Sequence, residues 1–226
     1  MQEMLIVGDI AGEYDALIRL VARVPETTFV LAVGDLVDRG PQSKEVVQWF
    51  MENQHRADCL MGNHEHMMID FLDDRGIYYS GVWHGNGGVA TMQSYDPKNR
   101  LYVPSSHLNF LAGRAKYKII PGEGDIPQLF VSHAALNPTL TLNKVCDEMT
   151  MDDIHFDDSI MWNRGAPKKR EGVFQVMGHN SHWGVTKFED WAICIDGSRS
   201  KCLTGFKWPS REIIQEPYER PVPASE

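Results

Sequence analysis

Basic residues are in deficit here. The chain carries 22 lysines and arginines against 31 aspartates and glutamates, a formal net charge of −9. A surface of that sign repels nucleic-acid backbones at long range, so no nucleic-acid partner is expected. A local basic pocket could still hold a phosphate, and bound divalent cations would reverse the local field. Long apolar runs are also missing. None approaches the roughly 18 residues that a membrane helix needs, so no membrane partner is expected. The longest runs, such as Phe29-Val30-Leu31-Ala32-Val33, are strand-sized. No basic segment followed by an apolar stretch and a cleavage site opens the chain, so a cytoplasmic location is expected. Cysteine is sparse: Cys59, Cys146, Cys194 and Cys202 include no C-x-x-C pair, which argues against a zinc ribbon. Spacing would let Cys194 and Cys202 face each other across a hairpin, but free thiols in a reducing compartment are the expected state.

What is present supports one sizeable core. The chain has 226 residues, 42% of them hydrophobic, and is expected to form a single domain over 1–226 with a proline-rich tail from 216 to 226. Met4 to Val7 reads as a short strand. Tyr14, Leu17, Ile18 and Val21 then recur at helical spacing, and Pro25 helps to end that helix. Phe29 to Val33 is a second strand. Ser43 is placed as the N-cap of a helix whose inner face is Val46, Val47 and Phe50. Ala57 to Met61 is a third strand and His64 to Leu72 a third helix. This alternation predicts parallel strands with crossover helices, an α/β fold.

The second half reads differently. Gly76 to Pro104 is expected to be loop-rich, followed by a helix from about Ser106 to Ala112. Tyr117–Ile120 and Gln128–Val131 should pair through a Pro-Gly turn. Val173 to Met177, Val185 to Phe188, Ala192 to Ile195 and Cys202 to Phe206 are expected as antiparallel strands.

Three short blocks begin where the early strands end: Gly8-Asp9-Ile10-Ala11-Gly12, Gly34-Asp35-Leu36-Val37-Asp38-Arg39-Gly40 and Gly62-Asn63-His64-Glu65. In open α/β sheets ligands bind at that edge. Asp9 and Asp35 are hard oxygen ligands, and Asp35 is assigned as a bridge between two cations. Two cations about 3.5–4 Å apart would clamp an in-line attack on phosphorus. Asn63 offers a neutral oxygen to the second cation. Mixed N/O coordination then calls for imidazoles. Of nine histidines, His133 and His179 sit just beyond apolar strands, as the blocks do. His55, His107 and His155 read as surface residues, and His66, His84 and His182 as structural. His64 projects into the same site. Asp38 would hold its imidazole and raise its pKa, so that it could protonate a leaving alkoxide. Arg39 suits a bidentate phosphate contact, and Arg164 is a second candidate clamp.

Taken singly, a Gly-Asp or Gly-Asn step is an ordinary turn. In this order and at strand ends, the blocks and the segments Ser132-His133-Ala134, Trp162-Asn163-Arg164 and Gly178-His179 resemble the PPP-type metallophosphatases, most closely the small bacterial and bacteriophage lambda-type protein phosphatases. The resemblance spans roughly residues 4–206. It implies a calcineurin-like metallophosphoesterase fold, a central β-sandwich flanked by helices. It also implies two divalent metal ions, with Mn²⁺ the expected ion, and a dimetal-bound hydroxide that hydrolyses phosphomonoesters of proteins or small molecules. By that pattern Asp9 and Asp35 hold metal 1, and Asp35, Asn63, His133 and His179 hold metal 2. His64 and Asp38 form the acid dyad, and Arg39 and Arg164 bind phosphate.

The chain departs from this pattern at three places. Ala11 stands where the family usually has a metal-ligand histidine, Met61 where it usually has arginine, and Asn180 where threonine is common. Ala11 is expected to leave metal 1 weak or absent and to impair turnover. An engineered change, a natural enzyme with a weak first metal, and a phosphate-binding protein without turnover all fit that residue. A nucleotide phosphohydrolase, acting on dinucleoside polyphosphates or 2′,3′-cyclic phosphates, is the alternative enzyme.

Overall fold

The computed structural model describes residues 2–72, 80–96, 98, 102–136 and 160–220. Two five-stranded mixed sheets lie face to face. The first has the order β10-β9-β1-β2-β3 and the second β4-β5-β6-β8-β7. In chain order the strands are β1 (Met4–Val7), β2 (Phe29–Ala32), β3 (Ala57–Cys59), β4 (Tyr117–Ile120), β5 (Gln128–Ser132), β6 (Val173–Met177), β7 (Val185–Phe188), β8 (Ala192–Ile195), β9 (Cys202–Trp208) and β10 (Ile213–Pro217). The helices are α1 (Tyr14–Val21), α2 (Ser43–Glu52), α3 (Asn63–Leu72), α4 (Ser80–Trp83), α5 (Val89–Tyr95) and α6 (Ser105–Ala112).

Strands β1, β2 and β8 are apolar at every position because both of their faces are covered. Side chains alternate between two compartments with the period of the strand. Ile6 and Leu31 point between the sheets, where they meet Val131, Val176, Ile193 and Phe206. Leu5, Val7, Val30 and Ala32 point the other way, under Leu17 of α1, Val46 and Phe50 of α2, and Met67 and Met68 of α3. The methionines predicted as core filler are buried there. Ile18 lies at the edge of the α1 stripe and is exposed.

The parallel run β1-β2-β3 is as expected. The second half departs from expectation. β5 pairs parallel with β6, and β6 parallel with β8; antiparallel pairing holds only for β4–β5 and β7–β8 in that sheet. An apolar period gives a strand's faces but not its partner's direction, and here β7 folds back as a hairpin arm while β8 crosses to β6. Between 80 and 95, where loop was expected, lie α4, a π turn at His84–Gly88 and α5. Gly87, with φ 110°, kinks that path and lets it resume. Ser43 is the first residue of α2 rather than its cap, and its hydroxyl is used elsewhere. His107 is buried between Tyr95 Oη at 2.8 Å and Gln48 Oε1 at 2.9 Å, not on the surface. Glu216 and Pro217 belong to β10, and Tyr218 is buried, so the start of the tail is part of the fold. Cys194 and Cys202 lie in different sheets and are free thiols, as is Cys59. Cys146 and His155 lie outside the described residues. Among the described residues no helix is long and apolar enough to cross a membrane.

Candidate dimetal centre

The parallel strands of both sheets end at one edge. Asp9 follows β1, Asp35 follows β2, Asn63 opens α3 beyond β3, His133 follows β5, His179 follows β6 and Asp196 follows β8. All six side chains are buried. The loops carrying them are strained. Ala11, Asp35, Asp38, Arg39 and His179 all have φ between 48° and 75°, the left-handed region that non-glycine residues avoid. That geometry turns side chains sharply back toward the strand ends.

Within this edge the acceptors crowd. His133 Nε2 lies 2.9 Å from Asn63 Oδ1, 3.2 Å from His179 Nδ1 and 3.3 Å from Asp35 Oδ1. His179 Nδ1 is 3.0 Å from Asn63 Oδ1. The outer nitrogens fix the tautomers: His133 Nδ1 faces the Val33 carbonyl at 3.2 Å, and His179 Nε2 faces the Trp162 carbonyl at 3.2 Å. Each outer nitrogen therefore carries the proton, and the inner nitrogens present lone pairs. Burial is the main reason that both rings are held neutral, with His179 lowered to about 3. Two imidazole lone pairs, an amide oxygen and a carboxylate then converge with no hydrogen among them. A cation resolves such an arrangement, and the nitrogen-oxygen donor set suits a borderline divalent ion. Ligand atoms of Asp9, Asp35 and His133 lie within 4.8 Å of one another.

The carboxylates differ. Burial would raise Asp35, but His133, His64, Arg39 and His179 reverse this and lower it to about 2. With His133 and His179 neutral, the Arg39 guanidinium is the fixed positive charge that favours the ionised form. Asp9 is pushed well above the carboxylate range by burial, then by Asp196 and Asp35. The His179 backbone N–H, 3.1 and 3.2 Å from its two oxygens, pulls the other way. Gly178 admits this contact, since a Cβ there would meet Asp9 Oδ1 at 2.0 Å. Ala11 is buried beside this pair. Its N–H donates to the Asp35 carbonyl at 2.7 Å, and its carbonyl accepts from Gly40 at 2.9 Å. Met61 is buried and offers no polar group. Asn180 Nδ2 donates to the Arg164 carbonyl at 3.0 Å.

Next to this cluster His64 Nδ1 and Asp38 Oδ2 are 2.5 Å apart. Burial disfavours a charged imidazole, but Asp35 and Asp38 overcome it and raise the His64 pKa. Asp38 is itself fully wired. Trp83 Nε1 donates to its oxygens at 3.1 and 3.0 Å, Thr91 Oγ1 donates to Oδ1 at 2.7 Å, and the Asp38 N–H donates to Thr91 Oγ1 at 2.8 Å and Ser43 Oγ at 3.1 Å. Arg39 Nη2 stands 2.9 Å from His64 Nε2. That contact suits only a neutral ring, so a protonated His64 requires an anion between the two. Arg164 is exposed, and its side chain makes no ion pair or hydrogen bond with the described residues. Its charge is near enough to help depress His179.

Sequence reasoning missed several contributors. Glu65 is buried and accepts from the N–H groups of Asp35 (2.8 Å), Leu36 (2.7 Å), Val37 (3.2 Å) and Gly62 (2.9 Å), stitching the second block to the third. Burial and Asp35 raise its pKa to about 7, against those donors. Its signal was available: an acid three residues past a glycine turn. Asp196 also had one, since it follows a four-residue apolar strand as Asp9 does. Trp83 and Thr91 had none.

A sequence profile of the calcineurin-like phosphoesterases matches residues 3–203. The chain belongs to that family. This phosphoesterase is 25% identical to the asymmetrical bis(5′-nucleosyl)-tetraphosphatase PrpE of Anoxybacillus flavithermus over 97% of its own length and 96% of that protein. Similarity to serine/threonine-protein phosphatase 2 of Escherichia coli is 33% over 37% of each chain. Similarity to the zinc-dependent endopolyphosphatase of Saccharomyces cerevisiae is 31% over 30% of this chain and 22% of that one. The matched stretches thus span under two-fifths of several curated relatives. Among solved structures, one described as a putative diadenosine tetraphosphatase superposes with TM-score 0.70 at 21% identity, covering 97% of this chain and 95% of that one. The fold is the expected β-sandwich flanked by helices, and the resemblance to PPP-type phosphatases stands.

Proposed function

We propose that this phosphoesterase is a metal-dependent phosphomonoesterase acting on phospho-Ser/Thr, and on phospho-Tyr, of proteins. One observation carries the reading. A hydrogen-free convergence of His133, His179, Asn63 and Asp35 lies beside a buried His64–Asp38 pair. The residues fit two divalent cations. Asn63, His133, His179 and Asp35 would hold one, and Asp35 with Asp9 would hold the other. Bound there, the cations would supply an activated water and Lewis acidity toward the phosphoryl oxygens. His64, held by Asp38, donates its proton to the departing oxygen. Arg39 takes phosphate oxygens in place of its contact with His64, and Arg164 swings in from the rim. Ala11 removes one ligand from the Asp9 side, so turnover is lower than a complete site would give.

Hydrolysis of nucleotides is a second reading. It is supported by similarity to PrpE over nearly the whole of both chains. Mn²⁺-dependent assays on phosphopeptides, p-nitrophenyl phosphate and diadenosine tetraphosphate separate the readings. Faster phosphopeptide cleavage is the expected result. An Ala11→His variant inert towards all three substrates would sink both readings and leave a phosphate-binding protein.

A further inference from the structure

The glycine-rich stretch Gly85-Asn86-Gly87-Gly88 has no part in the reaction described so far. It joins α4 to α5, and the segment 80–95 packs against Asp38 and Arg39. Those two residues follow one another in the left-handed region, with φ 75° and φ 65°. Neither is glycine, so their surroundings must hold them there.

Three contacts from this segment do so. The Arg39 N–H donates to the Gly87 carbonyl at 3.1 Å. The Asp38 N–H donates to Thr91 Oγ1 at 2.8 Å, and that hydroxyl donates in turn to Asp38 Oδ1 at 2.7 Å. Trp83 Nε1 donates to both carboxylate oxygens, at 3.1 and 3.0 Å. Trp83 and Thr91 are fully buried, so water does not compete for these bonds. The carboxylate so held offers Oδ2 to His64 Nδ1 at 2.5 Å. That bond sets the plane of the ring and turns Nε2 toward Arg39, at 2.9 Å.

The two glycines permit the fit. A Cβ on Gly87 would lie 2.7 Å from Arg39 Cγ and 2.8 Å from its backbone nitrogen. A Cβ on Gly88 would lie 2.5 Å from the Trp83 ring. We propose that residues 80–95 act as one clamp on the acid pair and on the phosphate-binding arginine. Trp83 and Thr91 are positioning residues for Asp38, and through it for His64. Gly87 is the positioning residue for Arg39. This rests on the phosphoesterase reading and adds residues that the reading leaves out. The clamp fixes the His64 ring and the root of the Arg39 side chain before substrate arrives. A misplaced acid would lose much of its contribution.

One test needs neither metal nor turnover. It follows the low-field His64 Nδ1–H resonance of the metal-free chain by NMR, assigned by its loss in His64→Asn. Thr91→Val and Trp83→Phe should each shift or broaden that resonance, and Thr91→Ser, which keeps the hydroxyl, should preserve it. Unchanged amide signals from β5 to β8 show that the variants fold. A second test is a kinetic cycle in the Ala11→His background with Mn²⁺. Trp83→Phe should lower kcat about tenfold with little change in KM, and should lower it no further beside His64→Asn. Gly87→Ala should instead raise KM about tenfold, because it displaces Arg39. A kcat loss in Trp83→Phe that persists in full beside His64→Asn would overturn the clamp. So would a His64 resonance unmoved in both Thr91→Val and Trp83→Phe. Failure of the phosphatase reading is separable: Ala11→His would then hydrolyse nothing, while the resonance would still decide whether Trp83 and Thr91 set the His64 ring.

Discussion

Around Asn63 three uncharged acceptors crowd within 3.2 Å of one another, whereas Asp9, two residues before the buried Ala11, has the carboxylates of Asp196 and Asp35 for neighbours. The first half is assembled from both sheets: Asn63 from the β3 side, His133 and His179 from β5 and β6. The second half would draw its own ligand from one loop. The contrast teaches that the Asn63 half is built from packing of both sheets and does not depend on the side chain at position 11. The backbone at Ala11 still holds φ 48° and still bonds Asp35 and Gly40. Histidine adopts that left-handed region more readily than alanine, so the loop can accept an imidazole at this position.

The largest expected effect comes from filling the poor half. Ala11→His should raise Mn²⁺-supported kcat on the order of 100-fold, measured with p-nitrophenyl phosphate, because both cations then flank the reacting phosphate. An unchanged rate would break the comparison. Damage next to the rich half should be comparable: His64→Asn should lower kcat about 100-fold in the Ala11→His background with little change in KM. A rise in KM alone would reassign His64 to substrate binding. Glu65→Ala strands four buried N–H groups and should cost on the order of 3 kcal/mol in urea unfolding of the metal-free protein. A loss below about 1 kcal/mol would mean that the blocks hold their shape without that stitch. Occupancy should follow the same asymmetry. Elemental analysis after gel filtration should find one tight Mn²⁺ in this chain and two in Ala11→His.

The smallest effect lies outside both halves and serves as a control. Burial, with Lys44 nearby, lowers the His107 pKa below 6.5. The folded ring stays neutral while the unfolded chain takes up a proton, so stability falls as pH drops below 6.5. His107→Gln should flatten the change in urea midpoint between pH 7.5 and pH 5.5. An identical slope in the variant would show that the other buried histidines set it.

Legibility in the sequence followed how local each signal was. Asp9, Asp35, His133 and His179 could be named because each lies directly beyond an apolar run, and a strand end is a local feature. Glu65 was readable as part of its block but not as the partner of three N–H groups nearly thirty positions earlier. Thr91 and Trp83 were silent. They reach Asp38 across 53 and 45 residues, from a segment whose glycines masked helices. The direction of β6 and β8 was equally silent, since burial on both faces gives the same apolar run in a parallel or an antiparallel pair.

By itself, then, the sequence determined the α/β class, nine of the ten strands, the family and most of the polar residues at strand ends, because these depend on side-chain period and short motifs. Only the tertiary structure decided which lone pairs face one another and how Asp38 and Arg39 are braced. Those depend on how ten strands bring distant loops to one edge, which no local pattern encodes.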